Sequence, residues 1–134
     1  MDVRSAGADV ARFLDAPRYG VIATHDPDGA IWQAVVWYVV TDEGILMNAR
    51  DGRHWLTNLR GDGRTSLVVA EGEDYVIVRG TATMNDDPER AKREALSLAQ
   101  RYASDDDFSD QHRVGILLHA ESVATHGELR RDGL

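Results

Sequence analysis

The 134-residue sequence predicts a mainly β fold, in which an antiparallel sheet closes or nearly closes into a barrel with flanking helices. Three observations predict it. Six segments are rich in β-branched and aromatic residues, short turn signals join most of them, and helical periodicity is confined to three other segments. Short turns make neighbouring strands antiparallel, and closure removes exposed strand edges. The length suits one domain, which we expect to span residues 1–134.

The first part of the chain predicts a short helix followed by three strands. Apolar residues at helical spacing place the helix at 9–15, and Pro17 ends it. The run Asp26-Pro27-Asp28-Gly29 is a strong turn, with Pro second and Gly fourth. With a second turn at 41–44, this separates three predicted strands, at 19–24, 31–40 and 45–48.

The rest of the chain predicts two further helices and three strands. Apolar residues on one face predict a short helix within 51–61. Asp87 as cap and Pro88 at the first helical position begin a helix that runs to about Tyr102. We expect strands at 65–70, 75–84 and 113–120, the last continuing to His126 after a kink, and a frayed end over 128–134.

Composition excludes several classes of function. The chain has no cysteine, which rules out disulfides, iron–sulfur clusters and a cysteine nucleophile. It has no apolar run long enough to span a membrane, and its first residues lack the apolar core of a signal peptide, so we expect a cytoplasmic protein that binds no membrane. The net charge of −8 argues against nucleic acid as a partner.

Charge is unevenly distributed, and one segment is basic. Residues 50–64 contain four arginines (Arg50, Arg53, Arg60 and Arg64) against two aspartates, in a chain that is otherwise strongly acidic. A basic island of this kind suggests a site for one anionic ligand, although a solvated basic helix face gives the same pattern. Arginine is well suited to phosphate because its planar fork donates two parallel hydrogen bonds.

Motifs of hydrolytic, metal and nucleotide chemistry are absent from the sequence. There is no Gly-x-Ser-x-Gly, no phosphate-binding glycine loop before a helix, and the five histidines are scattered, so we expect no metal site. The strand from Trp32 to Tyr38 mixes aromatic with small apolar residues and can flank a planar ring. The alternative is that Trp37 or Tyr38 packs in the core.

The order and spacing of several segments over about residues 10–126 resemble the pyridoxamine 5′-phosphate oxidase-like split-barrel superfamily, and within it the oxidoreductases that use the deazaflavin coenzyme F420. The segments are Pro17–Thr24, the Asp26–Gly29 turn, Val36-Trp37-Tyr38, Gly52-Arg53, Asn58-Leu59, Arg64–Leu67 and Tyr75–Gly80. The resemblance implies a six-stranded antiparallel split β-barrel that works as a homodimer, with two equivalent cofactor sites at the subunit interface.

The resemblance also implies which residues bind the cofactor, F420 or alternatively FMN. The strand Gln33, Ala34, Val35, Val36 and Trp37 flanks the ring, while Met47, Asn48, Arg53 and Asn58 reach the ribityl chain and phosphate. Relatives often have Lys where this chain has Trp55, so Arg50, Arg53 or His54 has to supply the missing charge, and Trp55 stacks on the ring or packs in the core. Arg79 belongs to the partner-side wall or forms a surface ion pair.

The activity implied is hydride transfer to a small organic acceptor, with the cofactor carrying the chemistry and the protein positioning the reactants. No catalytic residue is required, and Tyr38 or water is the candidate if a proton is needed. Three alternatives are left open. The first is an FMN-dependent enzyme of the pyridoxamine-phosphate-oxidase type, against which the missing Lys and the short chain argue. The second is a non-catalytic protein that binds the cofactor, a tetrapyrrole or a fatty acid, and the third is a barrel that has lost its site.

Overall fold

The computed structural model describes residues 1–109 and 111–131, which form one curled antiparallel sheet with three α-helices packed against it. The strands are β1 Gly20–His25, β2 Ile31–Val36, β3 Val39–Val40, β4 Gly44–Arg50, β5 Arg64–Glu71, β6 Asp74–Asn85 and β7 Arg113–His126. The helices are α1 Ala8–Asp15, α2 His54–Gly61 and α3 Pro88–Arg101, and short 3₁₀ turns occupy Val3–Ala6 and Gly127–Arg131. In this part of the chain, no helix is both long and apolar enough to cross a bilayer.

The order of the strands explains why the sheet curls. The order is β2-β1-β5-β6-β7-β4-β3, with every neighbouring pair antiparallel. The two edge strands, β2 and β3, are consecutive in the chain and are joined only by Trp37 and Tyr38. Since three residue steps span at most about 11 Å, the two edges must lie close together. The prediction of an antiparallel split barrel is therefore confirmed.

The number of strands differs from the prediction, because the apolar run 31–40 forms two strands instead of one. The break falls at Tyr38, whose side chain is fully buried and whose hydroxyl reaches the carbonyl oxygens of Leu14 and Ala16 at 3.0 and 3.2 Å. Its backbone N–H donates to the Tyr102 hydroxyl at 3.1 Å instead of to a neighbouring strand. Tertiary bonds at Tyr38 thus interrupt the ladder, and the sheet has seven strands.

Most other predicted elements form within a few residues of their predicted bounds. Asp87 caps α3 by accepting from the backbone N–H of Glu89, and Pro88 occupies the first turn. The expected kink in β7 coincides with a bulge where β6 shifts register between Arg79 and Gly80. The predicted fraying over 128–134 is wrong in its first part, because the 3₁₀ turn at 127–131 buries Leu129, whereas 132–134 lie outside the described residues.

Candidate ligand cavity lined by arginines

A cavity of about 570 Å³ lies where the edge strand β2 meets the end of β4 and the start of α2. Helix α3 and the segment that leads into β7 form further parts of its wall, and one side is open. A volume of this size is in the range that proteins use for small ligands and cofactors. The lining residues are Trp32, Gln33, Ala34, Val35, Val36, Trp37, Asn48, Ala49, Arg50, Arg53, His54, Trp55, Ala95, Leu98, Asp106, Phe108, Gln111 and Arg113.

One wall of the cavity is the strand β2, which pairs with β1 on one side only. Ala34 and Val36 pack on the core, while Val35 is 68% exposed and points to the other face of the sheet. As an edge strand, β2 presents backbone N–H and C=O groups along its unpaired side. The wall therefore combines small apolar side chains with a row of backbone donors and acceptors, which suits a flat heteroaromatic ring.

The opposite end of the cavity is basic, because strand pairing brings together arginines that are far apart in sequence. Arg50 at the end of β4 pairs directly across from Arg113 at the start of β7, and Arg53 lines the same cavity. Burial lowers the pKa of Arg113 below its ordinary value, and the nearby Arg53 and Arg50 lower it further, against the opposing effect of Asp106. Like charges placed opposite each other cost stability unless an anion compensates them.

Two of the four arginines in the basic segment are neutralised within the chain. Arg60 pairs with Asp86 at 2.6 Å, and Arg64 pairs with Asp62 at 2.7 Å. Among residues 1–109 and 111–131, the guanidinium groups of Arg50 and Arg53 form no ion pair with a carboxylate. Of the four arginines in the basic segment, the two without a carboxylate partner in the described part of the chain are thus the two that line the cavity.

Arg113 is held in place by hydrogen bonds on two sides. Its Nε donates to Asn48 Oδ1 at 2.8 Å, and one terminal nitrogen donates to Gln111 Oε1 at 2.9 Å. Asn48 is fixed in turn, since its amide nitrogen donates to the Ala91 carbonyl at 2.8 Å. The guanidinium carbon lies 4.3 Å from the centre of the Phe108 ring. A cation oriented in this way is preorganised for an anionic ligand.

His54 lines another part of the cavity wall and pairs with Asp26, which lies outside the cavity lining. His54 Nε2 is 2.7 Å from Asp26 Oδ1, and Asn58 Nδ2 donates to the same oxygen at 2.7 Å. The hydrogen bonds from His54 and Asn58 lower the pKa of the Asp26 carboxyl below its ordinary value. The His54 ring lies 4.1 Å from the ring of Trp32, centre to centre.

The structure brings ten of the thirteen predicted cofactor residues to the cavity, namely Gln33, Ala34, Val35, Val36, Trp37, Asn48, Arg50, Arg53, His54 and Trp55. Trp55 is mostly buried in the core and presents only part of its side chain. The other three lie elsewhere. The Met47 side chain points into the core, opposite to Asn48, because side chains alternate along β4.

Asn58 and Arg79 are the remaining two. Asn58 is buried beneath α2, where its amide bonds to Thr24 and Asp26, so it supports the pair formed by His54 and Asp26 without lining the cavity. Arg79 is exposed on β6 and borders a separate depression with Ser66 and Ser122.

Tyr38 is also placed away from the cavity. Burial raises the pKa of its phenol to about 12, and its hydroxyl bonds to backbone carbonyls beside α1. A phenol with a pKa of about 12 and without access to the cavity is unsuited to supply a proton there at neutral pH. The structural role of Tyr38 is to hold the link between β2 and β3.

Sequence reasoning missed the cavity residues that come from the second half of the chain, chiefly Asp106, Phe108, Gln111 and Arg113. No local pattern marks them, because they approach Arg50 only through the pairing of β4 with β7. Trp32 was missed although it lies on the strand that was singled out. Side chains two residues apart lie on the same face of a strand, so the spacing of Trp32, Ala34 and Val36 places Trp32 on the face of Ala34 and Val36. This spacing could have predicted that Trp32 lines the cavity.

A known family model, described as pyridoxamine 5′-phosphate oxidase, matches residues 7–127. The chain belongs to the pyridoxamine 5′-phosphate oxidase family. The match covers every strand of the sheet and every element that lines the cavity. No functionally curated protein matches the chain by sequence.

Solved structures with the same fold carry different descriptions. A conserved hypothetical protein from Mycobacterium tuberculosis is 28% identical, with a TM-score of 0.78, and the alignment covers 95% of this chain and 87% of that one. An F420 reductase is 23% identical, with a TM-score of 0.73 and coverage of 84% and 94%. The heme storage protein HutZ from Vibrio cholerae is 17% identical, with a TM-score of 0.74 and coverage of 90% and 94%. The shared fold therefore does not by itself fix an activity.

Proposed function

We propose that this member of the family is a cytoplasmic oxidoreductase that binds the deazaflavin coenzyme F420 in the arginine-lined cavity and reduces or oxidises a small organic molecule. When bound, the coenzyme supplies or accepts a hydride. The observation that carries the proposal is the combination of a flat apolar strand wall, β2, with Arg50 and Arg53, which have no carboxylate partner in the described chain.

The charges around the cavity suit the anionic part of such a cofactor. Arg50, Arg53 and Arg113 contribute three positive charges and Asp106 one negative charge, so these groups carry a net charge of +2. A phosphate monoester with two negative charges matches this net charge of +2. So does a singly charged phosphate diester with a neighbouring acid group. Relatives often have a lysine where this chain has Trp55. In this proposal Arg113 supplies a third positive charge beside Arg50 and Arg53 in place of that lysine.

The residues of the chain have separate tasks in this proposal. The arginines bind the phosphate, and β2 orients the ring through the backbone groups from Gln33 to Trp37. Trp37 is itself fixed, since its ring stacks on Tyr102 with centres 5.1 Å apart and planes within 7°. Leu98 and Phe108 keep water from the side of the cavity formed by α3.

We further propose that the protein works as a homodimer. A row of apolar residues crosses the outer face of the sheet through directly paired positions, namely Val35, Val21, Val68 and Ile77. Together with the exposed edge of β2, this face would be covered by a second copy, which would also enclose the open side of the cavity. Analytical ultracentrifugation tests this directly, and a monomer at micromolar concentration would contradict it.

The test of function is a fluorescence titration of the purified protein with F420, FMN and FAD, followed by turnover. We expect F420 to bind more tightly than FMN, and the loaded protein to transfer hydride to or from an organic partner. Tight binding of FMN alone would favour the flavin-dependent alternative. Binding of F420 or a tetrapyrrole with no turnover of any partner would indicate a carrier, and no binding at all would refute the proposal.

A further inference from the structure

Hydride transfer to an uncharged acceptor leaves a negative charge that a proton must neutralise, and the cavity contains one group suited to give it. His54 lines the cavity at the start of α2, and its side chain is 49% exposed. The phenol of Tyr38 has no access, and the Tyr102 hydroxyl is engaged with the Arg18 carbonyl at 2.6 Å and the Tyr38 N–H at 3.1 Å. Among the described lining residues, the others are apolar, amide, guanidinium or, for Asp106, carboxylate groups.

The partner of His54 determines which ring nitrogen is free. Asp26 is ionised at neutral pH, because hydrogen bonds from His54 and Asn58 lower its pKa, and a carboxylate can only accept. The proton on the His54 side of the 2.7 Å bond therefore resides on Nε2. This leaves Nδ1 as the nitrogen that gains and loses a proton, as in other histidine–carboxylate pairs that work in acid–base catalysis.

The ring is also held against rotation. Asp26 accepts from both His54 and Asn58, and Asn58 in turn donates to the Thr24 hydroxyl at 3.1 Å. On the cavity side, the indole of Trp32 lies against the imidazole. A base that is fixed by a carboxylate on one side and by an aromatic ring on the other is positioned before the substrate arrives.

We propose that His54 is the acid–base catalyst of the oxidoreductase, with Asp26 as its positioning residue. This rests on the function proposed above. An acceptor that has received a hydride from the reduced deazaflavin carries one excess negative charge. The N–H bond at Nδ1 of the cationic imidazole breaks as a new C–H or O–H bond forms on the acceptor. The neutral imidazole then takes a proton from water, and in the reverse direction it removes that proton.

The charged groups around His54 favour this cycle. The Asp26 carboxylate, from the turn between β1 and β2, stabilises the cationic ring. Arg50 and Arg53 line the same cavity from β4 and from the start of α2, and a bound anionic cofactor would neutralise their charges there.

The first test is independent of turnover. In protein labelled with ¹⁵N-histidine, addition of F420 is expected to shift the side-chain resonances of His54 and to leave those of His126 unchanged. His126 stacks on Tyr75 and does not line the cavity. If F420 binds and the His54 resonances do not move, the proposal is overturned. If F420 does not bind, the proposed function fails, and this inference fails with it.

The second test separates the proton from the hydride. With reduced F420, His54→Ala is expected to slow reduction of cyclohexenone, which needs a proton, by about 100-fold or more. It is expected to slow reduction of the N-methylnicotinamide cation, which needs no proton, at least about tenfold less than it slows reduction of cyclohexenone. Added imidazole should restore the first rate, and the pH profile of cyclohexenone reduction should lose its alkaline fall. Both rates are compared at saturating F420.

The matched variants decide the remaining outcomes. His126→Gln should behave as the wild type, and Asp26→Asn should reduce only the proton-requiring rate, by less than His54→Ala does, because it loosens the ring without removing it. An equal loss on both acceptors, or full activity of His54→Ala with cyclohexenone, overturns the proposal. Failure of the wild-type protein to reduce either acceptor counts against the oxidoreductase function itself.

Discussion

Replacement of Arg53 by alanine is the most informative single perturbation of the cavity. Arg53 precedes the first residue of α2, but its side chain makes no capping hydrogen bond, so its removal leaves the start of the helix intact. Its guanidinium has no carboxylate partner among the described residues, and a bound phosphate would be the group it neutralises. Loss of one charge-assisted hydrogen bond costs about 1.5–3 kcal/mol, which corresponds to a roughly 10- to 150-fold weaker Kd.

The assay is a fluorescence titration with F420 at two salt concentrations, with Arg64→Ala as the matched control. Arg64 comes from the same basic segment, but it is exposed, pairs with Asp62 and lies outside the cavity. Arg53→Ala should weaken binding and reduce its salt dependence, while Arg64→Ala should change neither. Unchanged affinity in Arg53→Ala, or an equal loss in both variants, would refute the assignment of the phosphate to this end of the cavity.

Three further predictions concern the fold that holds the cavity. Tyr102→Phe should lower the free energy of unfolding by about 1–3 kcal/mol in urea, because the backbone N–H of Tyr38 loses its acceptor, and an unchanged midpoint would contradict this. Tyr38 should titrate near pH 12 by ultraviolet absorbance. Because the folded chain then holds a proton that the unfolded chain releases near pH 10, this contribution to stability is complete below about pH 10 and falls as the pH rises towards 12. Gly80→Ala should lower the free energy of unfolding by about 3 kcal/mol or more, since its Cβ would lie 1.9 Å from a backbone oxygen. Gly61→Ala, with open space around it, should leave that free energy unchanged or raise it. Similar urea midpoints for the two variants would contradict the close packing at Gly80.

Local chemistry predicted most of the secondary structure. The turn from Asp26 to Gly29 and the cap at Asp87 follow from side chains within a few residues of each other, and both formed as expected. The break at Tyr38 did not follow from local chemistry. A run of β-branched and aromatic residues favours one continuous strand. Distant partners take Tyr38 out of the ladder, because Tyr102 and Arg101 bond to its backbone and Leu14 accepts from its hydroxyl.

The candidate site was predictable to the extent that it is local in sequence. Arg50, Arg53 and His54 are neighbours in the basic segment, whose charge predicts a site for an anion. Arg113 carries the same charge, but it stands 63 residues after Arg50, and only the register of β4 against β7 places the two opposite each other. Register between strands that are distant in sequence depends on the whole sheet, which composition and periodicity do not determine.

We propose that the cavity between β2 and the three arginines holds a planar cofactor by its anionic tail. A crystal structure of the protein with F420 tests it most directly. We predict a ring along residues 33–37 and a phosphate oxygen within hydrogen-bonding distance of the Arg53 guanidinium. A ring bound on the outer face of the sheet, or an anionic tail that extends into solvent away from Arg50, Arg53 and Arg113, would contradict it.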